Sequence, residues 1–92
     1  MTHEPTLEER IQLMLEMPAD RDEVERVLVD GYAHALRLDA ERLALERQIT
    51  VLAARAEDEE AAQGLRRAWL RHRTLNRELQ ELREMLRRLK EA

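Results

Sequence analysis

The chain has 92 residues, a formal net charge of −4, 39% charged side chains and no cysteine. Disulfides and thiolate metal sites are therefore excluded, and a composition rich in Ala, Leu, Glu and Arg but poor in β-branched and aromatic residues predicts an all-α protein without a sheet. No apolar run approaches the roughly 20 residues that span a bilayer, and residues 1–9 lack the apolar segment of a secretion signal. We expect a cytoplasmic protein that forms a single helical domain over residues 1–92 and has no membrane partner.

A short helix is predicted at residues 7–17. Thr6 and Glu9 have the spacing of a capping box, in which a threonine hydroxyl and a glutamate carboxylate satisfy free N–H groups near the first turn. Pro18 ends the helix, because proline has no N–H and disfavours helical geometry in the residue before it.

A long helix is predicted at residues 21–56. Asp20 and Glu23 repeat the capping pattern, and Gly31 is the only helix-breaking residue before the acidic cluster at residues 57–60. Residues recur along one face in steps of three and four, as expected of a helix packed along its length against another. This face, the 24–56 seam, consists of Val24, Leu28, Gly31, Ala35, Leu38, Arg42, Leu45, Ile49, Leu52 and Ala56.

A second long helix is predicted at residues 59–91, where leucine dominates one face. The 65–89 seam consists of Leu65, Ala68, His72, Leu75, Leu79, Leu82, Leu86 and Leu89. Its phase is two residues out of step with the 24–56 seam, whereas continuous coils tolerate insertions of three or four residues. A turn near residues 57–59, with Asp58 as the N-cap of the next helix, accounts for the mismatch. The sequence therefore predicts a long antiparallel, coiled-coil-like helical hairpin after the short helix.

The first long helix has a second apolar face opposite its seam. This outer stripe consists of Val29, Ala33, Leu36, Ala40 and Leu43. A helix that is apolar on both sides is expected to be covered on both sides, and a homodimer forming a four-helix bundle would cover it. A different protein is the alternative cover. The predicted interface residues are Val29, Leu36, Leu43, Trp69, Leu75, Leu79, Leu82 and Leu86.

Positive charge is concentrated in the last third of the chain. Residues 1–58 carry 14 acidic and 7 basic side chains, whereas residues 59–92 carry 6 and 9. No acidic residue lies between Ala61 and Arg77, and clustered guanidinium groups attract phosphates. The five arginines wrap around the helix, so neutralisation by the acidic helix competes with nucleic-acid binding. This arginine cluster consists of Arg66, Arg67, Arg71, Arg73 and Arg77.

A few polar residues at seam positions raise a metal-binding or enzymatic alternative. His72 interrupts a leucine seam either as a polar residue that fixes register or as a metal ligand or pH-sensitive switch. Arg42 either holds an anion or pairs with Glu46. Asp30 and His34 have a spacing that fits one metal ion or a simple hydrogen bond.

The sequence contains no serine, no cysteine and no glycine-rich phosphate loop. We therefore expect a non-catalytic interaction protein, without cofactor or metal, that self-associates and binds a partner protein through apolar helix faces. Nucleic-acid binding through the arginine cluster is the alternative function, and a small metal binder or enzyme is a further one.

Overall fold

The computed structural model describes residues 4–17 and 19–92, and this part of the chain is all-helical without a strand. Helix α1 spans Leu7–Glu16, α2 spans Arg21–Ala53 and α3 spans Glu59–Glu91. The predicted all-α class is confirmed. The expectation that Pro18 ends the first helix lies outside the described residues.

Helix α1 begins at the predicted cap. The Thr6 hydroxyl accepts a hydrogen bond from the Glu9 N–H at 3.2 Å, and it also donates to the Glu9 carboxylate at 3.3 Å. The hydroxyl thus satisfies one of the N–H groups that have no partner inside the helix.

Helix α2 ends three residues earlier than the sequence predicts, at Ala53 instead of residue 56. Beyond it the backbone tightens into bonds between residues three apart, from Arg55 N–H to Leu52 O and from Asp58 N–H to Arg55 O, both 3.0 Å. Such bonds satisfy carbonyls at a helix end without glycine or proline. Asp58 then precedes α3, and its carbonyl accepts the N–H of Ala62 at 2.9 Å.

The helices contribute to two compact units. The first contains α1, α2 up to Leu36 and α3 from Gln80 onward. Its core holds Ile11, Val27, Ala35, Leu82, Leu86 and Leu89. Helix α1 is held beside α2 by Arg10, whose guanidinium lies 3.5 Å from the Asp30 carboxylate.

The second unit runs from Arg37 to Leu79 and contains the rest of α2, the turn and the first part of α3. Its core holds Leu38, Ile49, Ala61, Ala68, Leu75 and Leu79. Cross-helix contacts in this unit join Glu41 to Arg71 at 2.8 Å and Glu46 to His72 at 3.2 Å.

The leucine periodicity identifies the core of α3. Every apolar residue of the 65–89 seam from Ala68 onward is buried, and His72 is half-buried. In the 24–56 seam the residues within α2 are buried or half-buried, whereas Ala56 lies beyond the helix and is exposed. No helix in the described residues combines the length and apolar character needed to cross a membrane.

Candidate interaction surfaces

The outer stripe of α2 is exposed. Leu36 keeps 72% of its surface accessible, Val29 68% and Leu43 43%, and the two alanines between them are exposed as well. A leucine or valine that is half to two-thirds open on a helix forfeits much of the free energy that burial would supply. The stripe is therefore apolar surface that the chain itself leaves uncovered.

Four of the predicted interface residues are not on the surface. Leu75, Leu79, Leu82 and Leu86 are essentially fully buried inside the chain. They contribute to the intramolecular core, so a partner could reach them only by opening the helices. The predicted interface positions that face outward are Val29, Leu36, Leu43 and Trp69.

Trp69 is 53% exposed and does not belong to the core. Its ring meets the ring of His72 edge to face, with 5.7 Å between centroids and an interplanar angle of 81°. Edge-to-face contact is favourable for two aromatic rings, and it packs the indole against His72 beside the 65–89 seam. The indole therefore presents an apolar face outside the second unit's core.

Arg42 and His72 share one carboxylate. His72 Nε2 lies 3.2 Å from Glu46 Oε1, and Arg42 Nη1 lies 3.5 Å from the same oxygen. Arg42 also donates two bonds to Asp39 Oδ1, the shorter at 2.7 Å. The hydrogen bond to Asp39 raises the pKa of Arg42, and the charges of Asp39 and Glu46 add to it while partial burial opposes them. The sequence predicted pairing with Glu46 but missed Asp39.

The carboxylates of Asp39 and Glu46 occupy the hydrogen-bond donors of Arg42. Donors on Arg42 are already directed at two carboxylates, which leaves it poorly suited to capture an external anion. The network places a polar contact at the edge of an otherwise apolar seam, which is how one polar residue can fix the alignment of two helices.

Asp30 and His34 have different partners. Asp30 lies 3.5 Å from Arg10, and His34 Nε2 lies 3.8 Å from Glu8. Both contacts connect α2 to α1 within the first unit. No group of three or more potential metal ligands comes together in the described part of the chain.

The arginine cluster is exposed and only partly neutralised. Arg71 donates from Nη2 and Nε to Glu41, at 2.8 and 3.2 Å, and this hydrogen bond, with the charge of Glu41, raises the pKa of Arg71. Among residues 4–17 and 19–92 the other four arginines, Arg66, Arg67, Arg73 and Arg77, form no ion pair.

Three of these four arginines share one face of α3. Arg66, Arg73 and Arg77 recur at helical spacing on the side opposite the 65–89 seam, so the cluster does contain a stripe. Leu70, 62% exposed, lies among them, and a shallow groove of about 210 Å³ runs between Leu70, Arg73, Thr74 and Arg77. Leu70 was not predicted as a surface contact residue, because it lies on α3 away from the 65–89 seam.

The first unit also leaves apolar surface on α1. Leu13 and Met17 are exposed, and with Met14 they border a hollow of about 470 Å³ that reaches Asp20 and Glu23 at the start of α2. Methionine adapts to irregular surfaces, which suits a binding groove.

Comparison of the chain with protein-family models, curated proteins and solved structures gives no match. The functional argument therefore rests on the surfaces described above.

Proposed function

We propose that this protein is a non-catalytic interaction module that works as a homodimer. In this proposal α2 and α3 form an antiparallel hairpin, and two hairpins join through their outer stripes into a four-helix bundle. The hairpin is supported by contacts inside each unit, such as Glu41 with Arg71 in the second and Gly31 beside Leu86 in the first.

The exposure of the outer stripe carries the proposal. Covering one half-exposed leucine or valine contributes on the order of 1 kcal/mol, and a two-fold dimer covers each position twice. The remaining outward face of α3 is dominated by charged and amide side chains, so α2 offers the better apolar surface for a second copy. The exposed Leu13 on α1 and Met17, which directly follows that helix, would then contact a heterologous protein partner.

Light scattering over a dilution series of the purified chain tests the dimer. We expect twice the mass of one chain at high concentration, and a shift to the single-chain mass for Leu36→Asp or Leu43→Asp. Leu70→Asp is the matched control, because it makes the same change at an exposed leucine on α3, and its mass should not change.

The result that overturns the dimer is equally clear. A single-chain mass for the unmodified protein, or a dimer that tolerates Leu36→Asp and Leu43→Asp, would contradict it. In the first case the outer stripe would be free for a different protein.

Nucleic-acid binding is a second candidate, favoured by the arginines that have no ion pair. Arg66, Arg73 and Arg77 lie along one exposed face, and the nearby Leu70 and Trp69 offer apolar contact with bases. Guanidinium groups without a carboxylate partner can bind phosphates without first breaking an ion pair.

A mobility-shift assay with labelled double- and single-stranded oligonucleotides tests this candidate. We expect a shift at low salt that weakens steeply as salt is added, and that is lost when Arg66, Arg73 and Arg77 are replaced by glutamine. Replacing Arg21, Arg37 and Arg55 removes the same charge elsewhere and serves as the control. Absence of a shift at low salt, or equal loss in both triple variants, would contradict a specific role for the arginine stripe.

A further inference from the structure

We infer that the two copies pair with their α2 helices antiparallel, each outer stripe lying against the reversed stripe of a second copy of this chain. The inference rests on the proposed homodimer and names its geometry. Three observations carry it: the alternation of large and small residues, the charges at the two ends of the stripe, and a hollow beside Val29.

Large and small residues alternate along the stripe. Val29, Leu36 and Leu43 recur at every seventh position, with Ala33 and Ala40 between them, and all five are exposed. In a parallel pair each residue would face the same residue of the second copy. Wide layers of two leucines would then alternate with narrow layers of two alanines. Antiparallel pairing sets large against small, with Leu36 opposite Ala33 and Val29 opposite Ala40. The four central layers of the dimer then have even thickness and the helices can pack closely there, whereas Leu43 meets Arg26 at each end.

The charges at the stripe's ends favour the same direction. Asp22 lies on the outer face near the start of α2, and Arg47 lies on that face beyond Leu43. In the structure's described residues neither side chain has an ion-pair partner. The antiparallel register given by Leu36 opposite Ala33 places Asp22 of one copy opposite Arg47 of the other, twice in the dimer. Parallel pairing would place aspartate against aspartate and arginine against arginine.

A hollow in the first unit fits the incoming end of a second stripe. It is a shallow, open depression of about 480 Å³ with the exposed Val29 in its lining. In the same antiparallel register Leu43 of the second copy lies opposite Arg26, one turn from Val29, and Arg47 of the second copy lies opposite Asp22 among the carboxylates. Its lining consists of Asp22, Glu25, Arg26, Val29 and Asp30.

Engineered disulfides can show whether the two α2 helices run antiparallel or parallel, because the chain has no cysteine of its own. Three variants are compared under mild oxidation: Val29→Cys, Ala40→Cys, and the double variant with both. The two positions are about 16 Å apart on one helix, beyond the roughly 7 Å limit between the Cα atoms of a disulfide, so a bond within one α2 is impossible. Light scattering of the reduced variants establishes whether each is dimeric.

The outcomes distinguish a failure of antiparallel pairing from a failure of the homodimer. Antiparallel pairing predicts a reducible covalent dimer for the double variant and at least tenfold less for either single variant. Efficient cross-linking of both single variants shows parallel pairing and overturns the inference while leaving the homodimer intact. Dimeric variants that never cross-link overturn it as well, because the copies then meet through another register or face. A single-chain mass for the unmodified protein overturns the homodimer and with it this inference.

Discussion

Gly31 lies directly against Leu86 in the first unit, so close that one added methyl group would overlap the leucine side chain. Leu86 is buried, so its side chain would have to shift within the packed core to accept that methyl group. Glycine costs helix stability relative to alanine, so its place in the middle of α2 has a packing reason. The missing side chain lets α2 and α3 approach each other at this position.

Gly31→Ala should therefore destabilise the protein. The collision is expected to lower the free energy of unfolding by about 1 to 2 kcal/mol, despite the gain of about 1 kcal/mol from better helix propensity. Urea unfolding followed by circular dichroism measures the change.

Gly64→Ala provides the matched control on α3. A methyl group there would meet Leu52 at an ordinary 3.6 Å, so only the propensity gain remains and stability should rise by about 0.5 to 1 kcal/mol. Equal effects of the two substitutions would contradict the close approach at Gly31.

The buried leucines of α3 are expected to stabilise the fold of the single chain. Leu75→Ala removes a fully buried side chain and is expected to cost about 2 to 5 kcal/mol of unfolding free energy. Leu70→Ala, the same change at an exposed position of the same helix, should alter it by less than about 0.5 kcal/mol. If the loss at Leu75 disappeared on dilution to the single-chain state, the leucine would belong to an intermolecular interface.

Sequence periodicity predicted which residues of α3 share a packed face, but not that this face is covered within the chain, since the same leucines were predicted at an interface between chains. Leu75, Leu79 and Leu82 could be predicted as buried because helical spacing alone decides which residues share a face. The pairing of Arg42 with Asp39, three residues apart on α2, follows from helical spacing and could have been predicted. The exposure of Trp69 beside the seam and the contact of His72 with Glu46 instead depend on how side chains pack against a neighbouring helix. That information is not contained in spacing along one helix.

The end of α2 illustrates the same limit. Continued helix to residue 56 satisfies the pattern, since Ala56 falls on the seam. The backbone instead tightens after Ala53, where carbonyls near the helix end accept hydrogen bonds from N–H groups three residues on. The phase change and Asp58 predicted the turn near residues 57–59, but without glycine or proline the sequence did not mark the residue at which α2 ends.

Glu84 should titrate below the ordinary range of a glutamate. A hydrogen bond from Arg87, 3.0 Å between Nε and Oε2, lowers the pKa of Glu84, and the charge of Arg87 adds to this effect. A carboxyl whose folded pKa is depressed stabilises the fold above its unfolded pKa of about 4.3, and that contribution is lost as the pH falls through the lower folded value.

Carbon-detected NMR titration of the Glu84 carboxylate measures this directly. Arg87→Gln should return the midpoint upward toward the ordinary glutamate value, whereas Lys90→Gln on the same last turns of α3 should leave it depressed. An unchanged midpoint in Arg87→Gln would show that the ion pair does not govern this carboxylate in solution.

A charge exchange tests the ends of the outer stripe in solution. Asp22→Arg and Arg47→Asp should each weaken the dimer, because each replaces two attractive contacts with two repulsive ones in the antiparallel pair. At about 0.2 to 1 kcal/mol for each of the two exposed pairs, we expect dissociation constants roughly 2- to 30-fold higher, with a larger effect at low salt. The double variant restores opposite charges and should recover most of the affinity. Two-fold dilution series by sedimentation or light scattering give the constants. Additive weakening in the double variant would show that Asp22 and Arg47 do not face each other across the dimer.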